Sequence, residues 1–254
     1  MKNIPNLFTL LNLVFGCLAI IFILQNGIMI TADTEGTQLI DIHEKIWMAS
    51  IFIGLAAVVD FLDGFVARLF RASSEMGKQL DSLADLVSFG VAPGLIFYQF
   101  LRLSYAQGES GLDVSFIWLV PFAILPCAAA WRLARFNLDT SQSFSFKGMP
   151  VPAVGLFVAS LPLIYWNVNE QWVLDLLRNK WFLYGIIILL SYLMVSSIPL
   201  MSFKLKDYSW KNNFPKYLLI LFSIAAIVLL KWLAPPVVVL LYVLLSLLFK
   251  SKTA

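Results

Sequence analysis

Charge is what this sequence has least of. Of its 254 residues only 13% are Asp, Glu, Lys or Arg, while 60% are hydrophobic, far from the balance of a water-soluble domain. Histidine occurs once, as His43, and cysteine twice, as Cys17 and Cys127. Two cysteines lying within apolar spans leave no disulfide framework and no thiolate metal site, and they read as small hydrophobes. The lone histidine falls in a loop, away from the residues that carry chemistry below. No cleavable leader is expected, because the first apolar run begins near Leu7 and is too long for a signal h-region. Loops long enough for a soluble domain are missing, and no internal repeat is visible.

What is present is a series of apolar stretches, several reaching the roughly 20 residues needed to cross a hydrocarbon core. The pattern predicts an all-α polytopic membrane protein with eight helices, near 7–29, 46–70, 80–104, 114–136, 148–167, 182–203, 216–233 and 235–250. The last two are expected to form a tight pair turning at Ala234-Pro235-Pro236, where proline cannot continue a helix. The positive-inside rule sets the direction. With the N-terminus inside, 13 of the 18 basic residues face the cytoplasm (Lys2, Arg68, Arg71, Lys78, Arg132, Arg135, Lys147, Lys204, Lys206, Lys211, Lys216, Lys250 and Lys252). Lys45, Arg102, Arg178, Lys180 and Lys231 fall outside. Both termini are then cytoplasmic, in a membrane expected to be the bacterial inner membrane. Trp166, Trp172 and Trp181 read as interfacial anchors, and Lys204, Lys206, Lys211 and Lys216 as a contact for anionic lipid.

Against this scarcity of charge, four aspartates stand at the ends of two apolar segments, in the run Asp60-x2-Asp63-Gly64-x2-Ala67-Arg68-x8-Gly77-x3-Asp81-x3-Asp85. An ionised carboxylate at the centre of a membrane helix costs at least about 2.5 kcal/mol. The spacing i,i+3 puts Asp60 and Asp63 on one helix face, and i,i+4 does the same for Asp81 and Asp85. Two acidic faces on successive helices make an all-oxygen site for a hard divalent cation. Gly64 and Ala67 keep their face free of bulk, and Gly77 does so at the start of the next helix. Arg68 offers a planar fork of donors suited to a phosphate, and Ser74 a hydroxyl. Carboxylates for cations, small residues for access and an arginine for phosphate describe a metal–diphosphate site with displacement at phosphorus as its chemistry.

The same run resembles the signature of the CDP-alcohol phosphatidyltransferase family, D-x2-D-G-x2-A-R-x8-G-x3-D-x3-D, at every fixed position. The resemblance implies a six-helix catalytic core, two divalent metals (Mg²⁺ or Mn²⁺) and a CDP-linked lipid donor. It makes Asp60, Asp63 and Asp81 metal ligands, and Asp85 the general base, also able to touch metal. Gly64, Ala67, Arg68 and Ser74 match positions that contact the donor nucleotide. Pro5-Asn6-Leu7-Phe8-Thr9 is similar to the family's PNxxT element, which places Asn6 and Thr9 near the nucleotide. On this reading residues 1–203 form the catalytic membrane domain, and 204–254 a basic loop with a C-terminal hairpin.

Three further stretches resemble the branch of the family whose acceptor is L-serine. They are Asp81 to Pro93, Arg132-Leu-Ala-Arg135-Phe136-Asn137, and Phe146-Lys147-Gly148-Met149-Pro150-Val-Pro152-Ala153, with Met149 where leucine is usual. Physically, Arg132 and Arg135 end the fourth helix i,i+3 apart, a positive face suited to an amino-acid carboxylate. Ordinary membrane anchoring explains the pair equally simply, and Lys147 is ambiguous in the same way. The expected partners are CDP-diacylglycerol, L-serine and membrane lipids, with homodimerisation left open and no nucleic acid. Glycerol phosphate or an inositol compound as acceptor is the nearest rival. A cation transporter is the distant one, disfavoured because it gives Gly64 and Arg68 no purpose and no inverted repeat is visible.

Overall fold

The computed structural model describes residues 4–32, 38–69, 74–108, 113–138, 146–201 and 210–249. The sequence expectations for Lys2, Arg71, Lys204, Lys206, Lys250 and Lys252 lie outside them. In lipid every backbone N–H and C=O must be satisfied within the chain, so long apolar runs become helices. Among the described residues, five helical segments are long and apolar enough to cross a membrane: Pro5–Gln25, Glu44–Val66, Glu75–Ala106, Phe116–Leu138 and Asn213–Leu248. Val151–Asn167 and Lys180–Val195 are shorter apolar helices of 17 and 16 residues. This is an integral membrane protein.

Helix α1 (Ile4–Gln25) packs along much of α2 (Trp47–Leu69). Between them the sequence reading placed a plain loop. The structure instead has an antiparallel hairpin, β1 (Ile28–Ala32) with β2 (Gln38–Ile42). Its second strand is held by Tyr165, which donates to Asp41 Oδ1 at 2.6 Å, while Arg178 donates to the same hydroxyl at 2.7 and 3.0 Å.

The third helix starts at Glu75 rather than near 80, because Ser74 caps it by accepting from Gly77 N at 3.0 Å. It runs as α3 (Glu75–Asp85), a π-helical turn (Leu86–Val91) and α4 (Ala92–Ala106). In its most apolar 18-residue stretch 56% of residues are buried, against 28–33% in those of α1, α2 and Phe116–Leu138, so it is the centre of the bundle. Phe89, Ile96, Phe97, Phe100 and Leu101 are fully buried along it. The π turn lets neighbours approach its backbone closely. A Cβ on Gly16 of α1 would sit 2.3 Å from Ser88 Oγ, and one on Gly155 2.8 Å from the Phe89 side chain. Only a missing side chain permits such contact.

The fourth span opens with two 3-10 turns, Phe116–Trp118 and Val120–Ala123, before α5 (Ile124–Leu138). After α6 (Val151–Asn167) comes a short α7 (Gln171–Leu177) that the hydrophobic pattern did not foretell. Helix α8 (Lys180–Val195) ends well before 203. The chain there turns extended toward Pro199, and β4 (Pro199–Leu200) pairs antiparallel with β3 (Phe146–Lys147). Helices α9 (Trp210–Leu230) and α10 (Ala234–Leu248) form the expected hairpin, with Phe214 and Phe249 rings 6.0 Å apart at its open end. Its turn is at Lys231–Leu233, where Lys231 has φ +48°, and Pro235 and Pro236 open α10 rather than make the bend. Helix α10 packs on α6, and it holds the buried backbone of Met201 from both sides: Met201 N donates to Ser246 Oγ at 3.1 Å, and Tyr242 donates to Met201 O at 2.9 Å.

Candidate active site

Three of the four aspartates come together in one cluster. Asp60, Asp63 and Asp81 each offer a carboxylate oxygen, all within 4.8 Å of one another. At that separation each ionised pair repels by about 3–4 kcal/mol at an effective dielectric of about 20. A hard divalent cation among them removes the repulsion and finds the oxygen donors it prefers. Asp63 is 7% exposed and Asp60 and Asp81 are half-buried, so the cluster opens on one side. Beside it a Cβ on Gly64 would meet nothing within 4 Å, which leaves the clear space expected of that position. Asp85 stands apart from this trio and is also 7% exposed, one turn further along α3.

Helix α1 aims two of these carboxylates. Thr9 donates to Asp63 Oδ2 at 2.8 Å, and Asn12 donates through Nδ2 to Asp85 Oδ1 at 3.1 Å. Both α1 side chains are buried. One turn earlier, Asn6 lies beside Gly77, whose Cβ would come 3.1 Å from Asn6 Oδ1. Asn6, Thr9 and Asn12 thus form an i,i+3,i+6 polar stripe that meets α3 at Gly77 and Asp85 and α2 at Asp63. The stripe ends where Ser88 of the π turn donates to Asn12 O at 3.0 Å. Asn12 was not singled out from sequence, although its position one turn after Thr9 was the available signal. Thr9, expected near the donor nucleotide, gives its hydroxyl to a carboxylate here, and Ser74 gives its oxygen to the cap of α3.

Of the two arginines on α5, the structure buries one and exposes the other. Arg132 is 9% exposed, its Nε has no hydrogen-bond partner, and its charge lies in electrostatic range of Asp85 and Tyr242. Arg135 is exposed and donates to Val195 O at 3.2 Å and Ser197 Oγ at 3.3 Å, which ties α5 to the end of α8. The two therefore do not form one shared face. Lys78 donates to Asn137 O at 2.8 Å and Asn137 to Ser82 Oγ at 2.8 Å, fastening α3 to the end of α5. The side chains of Ala67, Arg68 and Lys147 lie outside the described structure. His43 accepts from Lys45 N at 3.1 Å in the β2–α2 connection, a local capping role.

Fold and site together define a class: an integral membrane protein in which carboxylates from two spans meet in one all-oxygen cluster. More narrowly, the chain belongs to the CDP-alcohol phosphatidyltransferase family, whose family model matches residues 2–195, up to the last residue of α8. The family is one of enzymes, generally dependent on divalent metal. The chain is 35% identical over 209 residues to the CDP-diacylglycerol–serine O-phosphatidyltransferase of Helicobacter pylori (strain J99), covering 82% of this chain and 75% of that protein. It is 32% identical over 171 residues to the protein of the same name from Bacillus subtilis, covering 65% of this chain and 78% of the other. The Mycobacterium tuberculosis protein of that name is 31% identical over 233 residues, with 89% and 70% covered.

Proposed function

We propose that this protein transfers the phosphatidyl group of CDP-diacylglycerol to the hydroxyl of L-serine, giving phosphatidylserine and CMP. The observation that carries the reading is the meeting of Asp60, Asp63 and Asp81 within 4.8 Å, with Asp85 one helical turn beyond Asp81 and a buried arginine in its electrostatic range. The names of the relatives supply the acceptor.

Asp60, Asp63 and Asp81 hold the cations, two Mg²⁺ or Mn²⁺ ions, with Asp85 in reach of the same site. Bound there, divalent metal neutralises and polarises the donor's diphosphate. Gly64 and Ala67 leave room for the nucleotide, while Arg68, Asn6, Thr9 and Ser74 line the donor side. Thr9 also keeps Asp63 turned toward the cluster. Asp85 accepts the proton of the serine hydroxyl as its oxygen attacks the lipid-side phosphorus. The new P–O bond joins serine to the phosphatidyl group, the diphosphate P–O bond breaks, and CMP leaves with that electron pair. Arg132 holds the serine carboxylate, with Arg135 and Lys147 on the same side of the bundle. The excess of basic residues in one set of loops supports cytoplasmic termini and a site at the cytoplasmic face of the inner membrane.

Purified protein in liposomes carrying labelled CDP-diacylglycerol tests the proposal. Serine-dependent release of CMP with formation of phosphatidylserine is expected. CMP release that responds to glycerol phosphate or inositol and ignores serine refutes it.

A further inference from the structure

Two buried polar atoms, on the two helices that pack against the turn following Asp85, lack a partner in the protein, and they are of opposite kind. Asn12 is fully buried and gives its Nδ2 to Asp85 Oδ1 at 3.1 Å, while its own Oδ1 receives nothing. That amide orientation follows from the neighbour, since an ionised carboxylate can only accept. Arg132, nine-tenths buried, has an Nε that donates to nothing. Asn12 comes from α1 and Arg132 from α5, and both helices pack against the π turn that follows Asp85. One orphan acceptor and one orphan cationic donor thus stand in the surroundings of a single carboxylate. Buried polar groups are paired as a rule, and each exception calls for an explanation, of which a bound ligand is one.

The pair suits one chemical class of acceptor. A phosphorylated alcohol calls for several cationic donors around its phosphate, and only one buried, unpaired guanidinium nitrogen is present among the described residues. A neutral polyol needs no buried guanidinium. A hydroxyl compound carrying both an ammonium and a carboxylate satisfies both orphans and brings its hydroxyl to Asp85. We propose that Asn12 Oδ1 receives the α-ammonium of the acceptor while Arg132 takes its carboxylate, so that Asn12 is a specificity-determining residue for amino-acid alcohols. This rests on the serine reading above and adds to it the group that recognises the amino end.

The test crosses variants with acceptors that lack one charged group each. Full-length protein in liposomes with saturating CDP-diacylglycerol and Mg²⁺ is assayed for CMP release with L-serine. Ethanolamine (no carboxylate) and 3-hydroxypropionate (no ammonium) are used as alternative acceptors or, where turnover is slow, as competitive inhibitors. Asn12→Ala should raise KM for serine about 10- to 100-fold, the loss of one charge-assisted hydrogen bond. It should weaken ethanolamine in parallel and leave 3-hydroxypropionate unaffected. Arg132→Gln should do the converse, and neither should change KM for the lipid donor. Equal weakening of serine and 3-hydroxypropionate by Asn12→Ala overturns the proposal, because it means the site is merely disordered. Should Asn12→Ala fail to fold, Asn12→Asp keeps an acceptor oxygen and loses the donor to Asp85: KM for serine should hold while kcat falls, and a raised KM overturns the assignment. A wild-type protein active only with glycerol 3-phosphate refutes the serine reading itself, before any variant is made.

Discussion

Replacing Thr9 by valine removes one hydroxyl and almost no volume, which makes it a sharp probe of how α1 serves the cation site. The Thr9 hydroxyl has one proton and two acceptors nearby, Asp63 Oδ2 at 2.8 Å and Pro5 O at 3.2 Å. The shorter contact is to a carboxylate, so the proton belongs to Asp63. Losing a hydrogen bond that orients a metal-ligating group typically lowers metal affinity or activity 10- to 100-fold, in line with about 1.5–3 kcal/mol for a bond to a charged group. Thr9→Val should therefore shift the Mg²⁺ activation curve for CMP release to about 10- to 100-fold higher concentration. Turnover at saturating metal should largely recover. Thr9→Ser, which keeps the hydroxyl, should restore most of the metal affinity. An unmoved metal curve with a raised KM for CDP-diacylglycerol would refute the argument and make Thr9 a nucleotide contact instead.

Other changes act on the same machinery. Asp60→Asn, Asp63→Asn and Asp81→Asn should each remove Mg²⁺- or Mn²⁺-dependent turnover while detergent-solubilised protein keeps its thermal transition; unfolding of all three would mark the cluster as structural. Asp85→Asn should nearly abolish transfer and spare most metal-dependent binding of the donor lipid, and near wild-type turnover would rule out a base there. Gly155→Val must displace Phe89, since even a Cβ would lie 2.8 Å from it, and overpacking of this kind costs about 1–3 kcal/mol, read as a lowered thermal midpoint. Arg135→Ala should leave KM for serine within a small factor, as the guanidinium is spent on the end of α8; a large selective rise in that KM would place Arg135 in the acceptor pocket.

The parts of this site that sequence revealed are those encoded within single helices. Asp60 with Asp63, and Asp81 with Asp85, repeat at helical spacing in segments too apolar to tolerate charge without purpose, and three of the four, Asp60, Asp63 and Asp81, meet. Arg132 and Arg135 share the same i,i+3 spacing and yet part company: one is buried near Asp85, the other is on the surface holding Val195 and Ser197. Spacing defines an angle on a helix and not what packs against it. Asn12 escaped notice for a related reason. Its partner is 73 residues away, and the register of α1 against α3 depends on Gly16 meeting Ser88, a fit no periodicity reports. The π turn, the β1–β2 hairpin and the early end of α8 likewise arise from tertiary contacts that override a smooth hydropathy profile.

The grip of α10 on Met201 has a consequence in time. The N–H and C=O of Met201 are buried and are satisfied by Ser246 and Tyr242, residues within the last dozen or so of the chain. The preceding strand, β4, in turn pairs with the segment that bears Lys147 and leads into α6. Domains assemble from the N-terminus while synthesis proceeds, so the aspartate spans are in the bilayer long before α10 exists. The buried backbone of Met201, next after β4, gains its hydrogen bonds only once α10 has been made. A nascent chain stalled after α8 therefore holds all four aspartates and lacks the strand and helix that secure the segment leading into α6.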